Sequence, residues 1–91
     1  MIIRMPIRFD FDCYKWWNRE VLFRVDDEKP EEVILDMIDT DYIDSSGMGM
    51  ILMLRDRCNK CGIRIEAKNK AVQHTLKVAQ FHKLFNVVNG L

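Results

Sequence analysis

Strand-like and helix-like segments alternate along this chain of 91 residues, and the alternation constrains the fold more than any other feature. Short apolar segments at 2–9, 31–39, 63–67 and 84–88 have the length and composition of strands. Between them lie three longer segments whose apolar residues recur every three or four positions. This order predicts one α/β domain over 1–91, with a mixed and mostly parallel sheet, helices packed on it and right-handed crossovers.

The first helical segment follows a strand that Pro6 places at the edge of the sheet, because proline cannot donate a ladder hydrogen bond. Asp10 or Asp12 is expected to cap the N-terminus of this helix, and Pro30 to follow its end. The buried face is predicted from helical spacing to contain Tyr14, Trp17, Val21 and Val25.

Residues 31–39 contain a nearly continuous apolar run, which predicts a central strand that is buried on both faces. The helix after it should extend to about Asn59 or Lys60, where Gly62 stops it, and Asn69 should cap the last helix. Their buried faces are predicted to contain Ile51, Leu54 and Cys58 in the first of these helices, and Val72, Leu76 and Ala79 in the second.

The charge balance bears on the partners. Lys and Arg number 14, as do Asp and Glu, so the formal net charge is zero, and basic residues are interleaved with acidic ones. Phosphate binding needs a basic excess or stripe, so nucleic acid is not an expected partner. No apolar run approaches the roughly 20 residues that cross a bilayer, and the N-terminal segment lacks a signal-peptide pattern, so we expect no membrane insertion and a cytoplasmic location.

The three cysteines form no regular framework, which fits a reducing compartment. Cys58 and Cys61 are a C-x-x-C pair at a helix C-terminus, whereas a redox pair is expected at a helix N-terminus. Zinc needs four ligands, and only Cys13 and two histidines remain to complete a set. The pair is therefore predicted to be free thiols, and we expect no metal site and no cofactor.

Residues 44–50, DSSGMGM, join the central strand to the second helix. One interpretation is an ordinary helix cap by Asp44 or Ser45, with glycines that permit a tight turn. A nucleotide-binding loop is disfavoured because no lysine follows the glycines. A nucleophile elbow fails because neither serine has a glycine two residues before it. A catalytic serine also needs a base in reach, and His74 and His82 lie in and after the last helix.

A regulatory serine is the remaining interpretation. A serine at a helix N-terminus is accessible to a kinase, and the helix dipole and free N–H groups there tolerate a phosphate. The phosphate would add about −1.5 to −2 charges beside Asp39, Asp41 and Asp44. The fold would survive, while the surface offered to a partner would change in charge and size.

A buried strand, then D-[ST]-S-G-hydrophobic-G, then a helix is the signature of STAS domains, above all of the bacterial anti-anti-sigma factors, or anti-sigma factor antagonists. The chain resembles this family from about Met5 to Val88. The positions that match the signature are Asp44, Ser45, Ser46, Gly47, Met48 and Gly49. Residues 8–13, RFDFDC, resemble a second landmark, a strand-to-helix turn with an F-D pair. Together with LRD at 54–56, they are similar to a proteobacterial subgroup that acts with response regulators.

The resemblance implies a binding module without catalysis. Its unphosphorylated form would bind an anti-sigma factor that is also a serine kinase, and phosphorylation of Ser45 would release it. A PPM-type serine phosphatase, or a response regulator carrying one, would restore binding. Partner binding would involve Asp44, Ser45, Ser46, Gly47, Met48, Gly49 and Met50. Two alternatives stand beside this prediction: a constitutive STAS adaptor subunit of a transport or sensory complex, and an enzyme with Ser45 as its nucleophile.

Two further features bear on the partners. Met48, Met50, Leu52 and Met53 make the first half of the second helix apolar nearly all round. These residues are either buried or form a docking patch beside Ser45. Members of the resembling family usually have an additional N-terminal strand, and this chain begins near the second one. We therefore expect an exposed sheet edge, through which two copies would associate as a homodimer.

Overall fold

The computed structural model describes residues 1–58 and 60–88. Its main sheet contains β1 (Ile2–Arg4), β3 (Glu32–Met37), β5 (Gly62–Ala67) and β6 (Asn86–Val88), in that spatial order. A second, two-stranded sheet pairs β2 (Arg8–Phe9) with β4 (Tyr42–Ile43). All of these pairings are parallel. The predicted α/β class with a mostly parallel sheet is confirmed.

The helices alternate with the strands as the sequence predicted. They are α1 (Tyr14–Trp17), α2 (Phe23–Glu28), α3 (Ser45–Arg57) and α4 (Lys70–Val78). A π-helical turn at Asn18–Leu22 joins α1 to α2, and short 3₁₀ turns at Phe11–Cys13 and Phe81–Lys83 precede α1 and follow α4.

The core lies on one face of the main sheet. Each crossover moves one strand further in the same direction, so right-handed connections return every helix to the same side. The burial of β3 agrees, because Val33, Leu35 and Met37 are buried while Ile34 and Asp36 are only half-buried. β3 is central, as predicted, but the prediction that both of its faces are buried is wrong, because the crossovers cover one side alone.

Pro6 divides the predicted first strand in two. β1 lies at the edge of the main sheet, as predicted, whereas β2 turns away to pair with β4. The buried hydroxyl of Thr40 donates a hydrogen bond to the Pro6 carbonyl at 2.8 Å, and the Asp41 N–H donates to the Ile7 carbonyl at 2.9 Å. These bonds fix the turn before β4 against the segment after β1. Association of two copies through the β1 edge stays a prediction.

The first helical segment is capped by Asp10, whose carboxylate accepts a hydrogen bond from the Asp12 N–H at 3.1 Å. Trp17 is buried as predicted, and Tyr14 is exposed, contrary to the prediction. The π-helical turn widens the helical repeat, so Leu22 is buried in addition to the predicted Val21 and Val25.

The two later helices follow the predicted faces closely. α3 ends at Arg57, whereas the predicted end was Asn59 or Lys60. Asn59 lies outside the described residues. Asn69 caps α4 by accepting a hydrogen bond from the Val72 N–H at 3.0 Å. Ala79 lies beyond the end of α4 and is exposed, which corrects its predicted burial. The other predicted positions are buried: Ile51, Leu54 and Cys58 after β4, and Val72 and Leu76 in α4.

The C-x-x-C pair differs from the prediction. The structure joins Cys58 and Cys61 in a disulfide whose Cα atoms are 5.3 Å apart. The turn after α3 brings them together, because the Cys61 N–H donates to the Cys58 carbonyl at 3.0 Å, and the resulting spacing suits a disulfide. Among the described residues the free thiol belongs to Cys13.

Candidate functional site

The motif at 44–50 forms the N-terminus of α3. The Asp44 carboxylate accepts a hydrogen bond from the Gly47 N–H at 3.0 Å, and the Asp44 backbone is extended, with φ −118° and ψ −173°. Asp44 is therefore the N-cap, which leaves Ser45 as the first residue of the helix. The Ser45 side chain is exposed, whereas Ser46 is half-buried. Of the two serines, Ser45 is the one that an enzyme or partner reaches from solvent.

Gly47 packs the first turn of α3 against the small β2–β4 sheet. A Cβ atom at this position would lie 2.5 Å from the Phe9 carbonyl oxygen and 3.0 Å from Cγ1 of Ile43. A real Cβ does not approach backbone oxygen that closely, so only glycine lets α3 begin at this distance from β2. Gly47 therefore allows α3 to pack closely against β2. Because Gly47 is buried, its burial gives no support to the predicted direct contact with a partner.

Gly49 lies on the opposite side of the same helix turn. It is exposed, and a Cβ atom at this position would meet no heavy atom within 4 Å among the described residues. Leu52 and Met53 follow it at helical spacing, and each is 37% exposed. Ser45, Gly49, Leu52 and Met53 thus form an exposed stripe along α3, which begins at the accessible serine.

The methionines of the motif divide between core and surface. Met50 is buried, 4% exposed, and Met48 is half-buried against the core. Of the residues predicted to be either buried or a docking patch, Leu52 and Met53 are exposed, while Met50 is a core residue. Leu52 and Met53 are neighbouring apolar residues on the exposed side of α3, and contiguous exposed apolar surface is what marks protein contact sites.

Acidic side chains lie along the segment that leads to Ser45. Asp39 and Asp41 are exposed, and Asp44 is half-buried at the cap. The guanidinium of Arg8 is already engaged, since it lies 4.3 Å from the centre of the Tyr42 ring and pairs with Asp10 at 3.4 Å. A further anion on Ser45 would therefore add to a region that is already negative.

Sequence reasoning missed an aromatic pair on the neighbouring turn. Phe11 and Tyr14 are exposed, at 68% and 43%, and their rings stack with centres 6.1 Å apart. This turn contacts α3, so the aromatic pair belongs to the same end of the molecule as Ser45. The F-D pairs of RFDFDC were its only signal, because helical spacing had assigned Tyr14 to the core.

The histidines lie elsewhere. His74 on α4 and His82 on the following 3₁₀ turn line a cavity between α4 and β6, and the lining of that cavity does not contain Ser45. A nucleophilic serine requires a histidine base within hydrogen-bond reach, and this cavity does not supply one to Ser45.

The chain as a whole matches a known family. The sequence profile of the STAS domain matches residues 1–91. A STAS-domain containing protein of Pseudomonas aeruginosa strain UCBPP-PA14 is 30% identical over 89 residues, which cover 96% of this chain and 86% of that protein. No solved structure matches the chain significantly. Within the described residues, no helix is both long and apolar enough to span a membrane. The fold, the capped D-S-S-G-M-G motif and these matches agree, and the chain belongs to the STAS-domain family.

Proposed function

We propose that this protein is a phosphorylation-controlled binding module that acts as an anti-sigma factor antagonist in the cytoplasm, without catalysis of its own. In its unphosphorylated form it binds an anti-sigma factor that is also a serine kinase. Phosphorylation of Ser45 releases this partner. A PPM-type serine phosphatase, or a response regulator carrying one, restores the binding form.

The observation that carries the proposal is the exposure of Ser45 at the first position of a helix whose packing depends on other residues. Asp44 caps α3 and Gly47 sets its distance from β2, and neither role uses the Ser45 hydroxyl. A phosphate on Ser45 would therefore leave the helix in place, since anions are favoured at a helix N-terminus.

The same phosphate would alter the surface strongly. It adds about −1.5 to −2 charges next to Asp41 and Asp44, at the start of the exposed stripe. A partner that packs an apolar surface on Leu52 and Met53 would have to desolvate this dianion. The added negative charge and the cost of desolvating the phosphate would both weaken binding, so phosphorylation should release the partner.

The test is affinity capture from the native cytoplasm with wild type, Ser45→Ala, Ser45→Asn and Ser45→Asp, followed by mass spectrometry of the captured proteins and of Ser45. The proposal expects wild type, alanine and asparagine to hold a protein with a kinase-type nucleotide-binding domain, and aspartate to lose it. Asparagine is the matched control, because it has the size of aspartate without the charge.

The opposite result would be equally clear. If all four proteins capture the same partners and Ser45 carries no phosphate under any growth condition, the switch is wrong. The motif would then act as a helix cap in a constitutive adaptor of a transport or sensory complex. Covalent labelling of Ser45 by a fluorophosphonate would instead indicate a nucleophilic enzyme.

A further inference from the structure

A cavity of about 720 Å³ lies between α4 and β6, and Ser45 does not contribute to its lining. One wall is the face of α4 that carries Lys70, His74 and Lys77, which follow one another at i, i+4 and i+7. His82, from the 3₁₀ turn after α4, contributes a fourth basic group. All four side chains are exposed, so their polar ends are available to a ligand from solvent.

The floor of the cavity is apolar. Leu76 is buried at its base, and Val87 and Val88 of β6 are half-buried beside it. A volume between about 300 and 1,000 Å³, an apolar lining and a few convergent polar groups are typical of small-molecule sites.

The charge of this region is unbalanced, although the whole chain is neutral. Residues 67–91 contain four lysines, two histidines and no aspartate or glutamate, so the interleaving of charges ends at Glu66. The ion pairs among the described residues all use arginine as the cation, so none of them neutralises Lys70 or Lys77. The cavity therefore combines an apolar floor with rim lysines that form no ion pair with any described acidic side chain.

We propose that this cavity binds an organic anion with an apolar body and a single carboxylate or phosphate head. The body packs on Leu76, Val87 and Val88, where its burial is favourable in proportion to the apolar area removed from water. The head lies near Lys70 and Lys77, whose ammonium groups donate hydrogen bonds to anionic oxygens. The protein would then sense a small amphiphilic anion at a site separate from Ser45.

The test is an NMR titration of the uniformly ¹⁵N-labelled full chain with decanoate, decanol and inorganic phosphate. Decanoate and decanol are kept below the concentrations at which they self-associate. Decanoate is expected to give saturable shifts that are largest for amides of Lys70–Val78 and Asn86–Val88. Decanol lacks the charge and phosphate lacks the apolar body, so each should bind at least about tenfold more weakly.

A double charge reversal, Lys70→Glu with Lys77→Glu, should weaken decanoate binding about tenfold. The matched control is Lys15→Glu with Lys29→Glu, which makes the same charge change on exposed lysines outside the cavity lining and should leave binding unchanged. Both variants replace exposed side chains, and a dispersed spectrum verifies that each is folded.

Three results would overturn the proposal. They are shifts that do not saturate or that scatter over the whole surface, equal binding of decanol or of phosphate alone, and equal losses in the two double variants. Ser45→Asp should bind decanoate as wild type does, so failure of the switch and failure of this site are distinguishable.

Discussion

Gly47 and Gly49 stand two residues apart on the same helix turn, yet their surroundings differ completely. A side chain at Gly47 would collide with the backbone of β2, whereas one at Gly49 would point into open space. The first glycine is needed to assemble the molecule, and the second is not required by any contact that the described residues make. The comparison separates a buried half of the motif that builds the fold from an exposed half that is free to meet a partner.

The largest effect is expected from Gly47→Ala. The added methyl group must displace the Phe9 carbonyl or tilt α3, and overpacking of this kind costs about 1–3 kcal/mol. We expect the free energy of unfolding, measured by urea denaturation, to fall by about 2 kcal/mol. Gly49→Ala is the control, since it makes the same substitution on the other side of the turn. Equal stability of the two variants would remove the distinction between the two halves.

Asp44→Ala should be the next largest, because it removes the side-chain oxygen that accepts from the Gly47 N–H at 3.0 Å. Loss of an N-cap of this type costs about 1 kcal/mol of stability. Asp44→Asn retains a good cap without the charge, so it should be close to wild type in the same urea titration. A similar loss in both variants would mean that the carboxylate charge, rather than the hydrogen bond, stabilises the helix start.

Gly49→Ala is expected to change stability in the other direction. Alanine is preferred over glycine inside a helix by about 0.5–1 kcal/mol, and no neighbour obstructs the new methyl group. We expect the melting temperature to rise while affinity for the proposed partner falls. The new methyl group would project from the exposed stripe at the one position where it has no side chain, and would keep the partner from approaching the helix closely. Calorimetry and a binding titration measure the two effects separately. Unchanged affinity would mean that the partner does not contact the helix at Gly49.

The smallest stability effect should come from Ser45→Ala. The side chain is exposed and caps nothing, so the free energy of unfolding should change by less than about 0.5 kcal/mol. Ser45→Asp should be equally stable or slightly more so, because an anion suits the first turn of a helix. A clear destabilisation by either variant would show that Ser45 belongs to the buried half of the motif.

Local signals predicted much of this molecule. The alternation of segments predicted the class and parallel character of the sheet, Asn69 was identified as a cap from residue type and position alone, and Asp10 was one of the two caps predicted for the first helix. Asp44 was one of two predicted caps, and the choice needed the extended backbone before α3. These features depend on neighbours within a few residues, which a sequence displays directly.

Other features depend on distant contacts and could not be predicted in that way. The apolar run at 31–39 does not show whether helices cover one face of the strand or both. That number depends on the direction of each crossover in the sheet. The different roles of Gly47 and Gly49 arise from Phe9 and Ile43, which are close in space but not in sequence. Tyr14 is the first residue of α1 and directly follows the 3₁₀ turn at Phe11–Cys13, so it is exposed at the start of the helix although helical spacing assigned it to the buried face.

The strand order has a consequence for how the segment that leads to Ser45 responds to local opening. β3 is flanked on both sides, by β1 and β5, whereas β1 and β6 each have one neighbour in the sheet. Amide hydrogens of β3 and β5 should therefore exchange with solvent most slowly, and those of the edge strands should exchange earlier, through partial openings. The chain runs from the end of β3 at Met37 through β4 to Ser45, so the accessible serine follows a strand of the small sheet rather than one of the slowly exchanging strands directly.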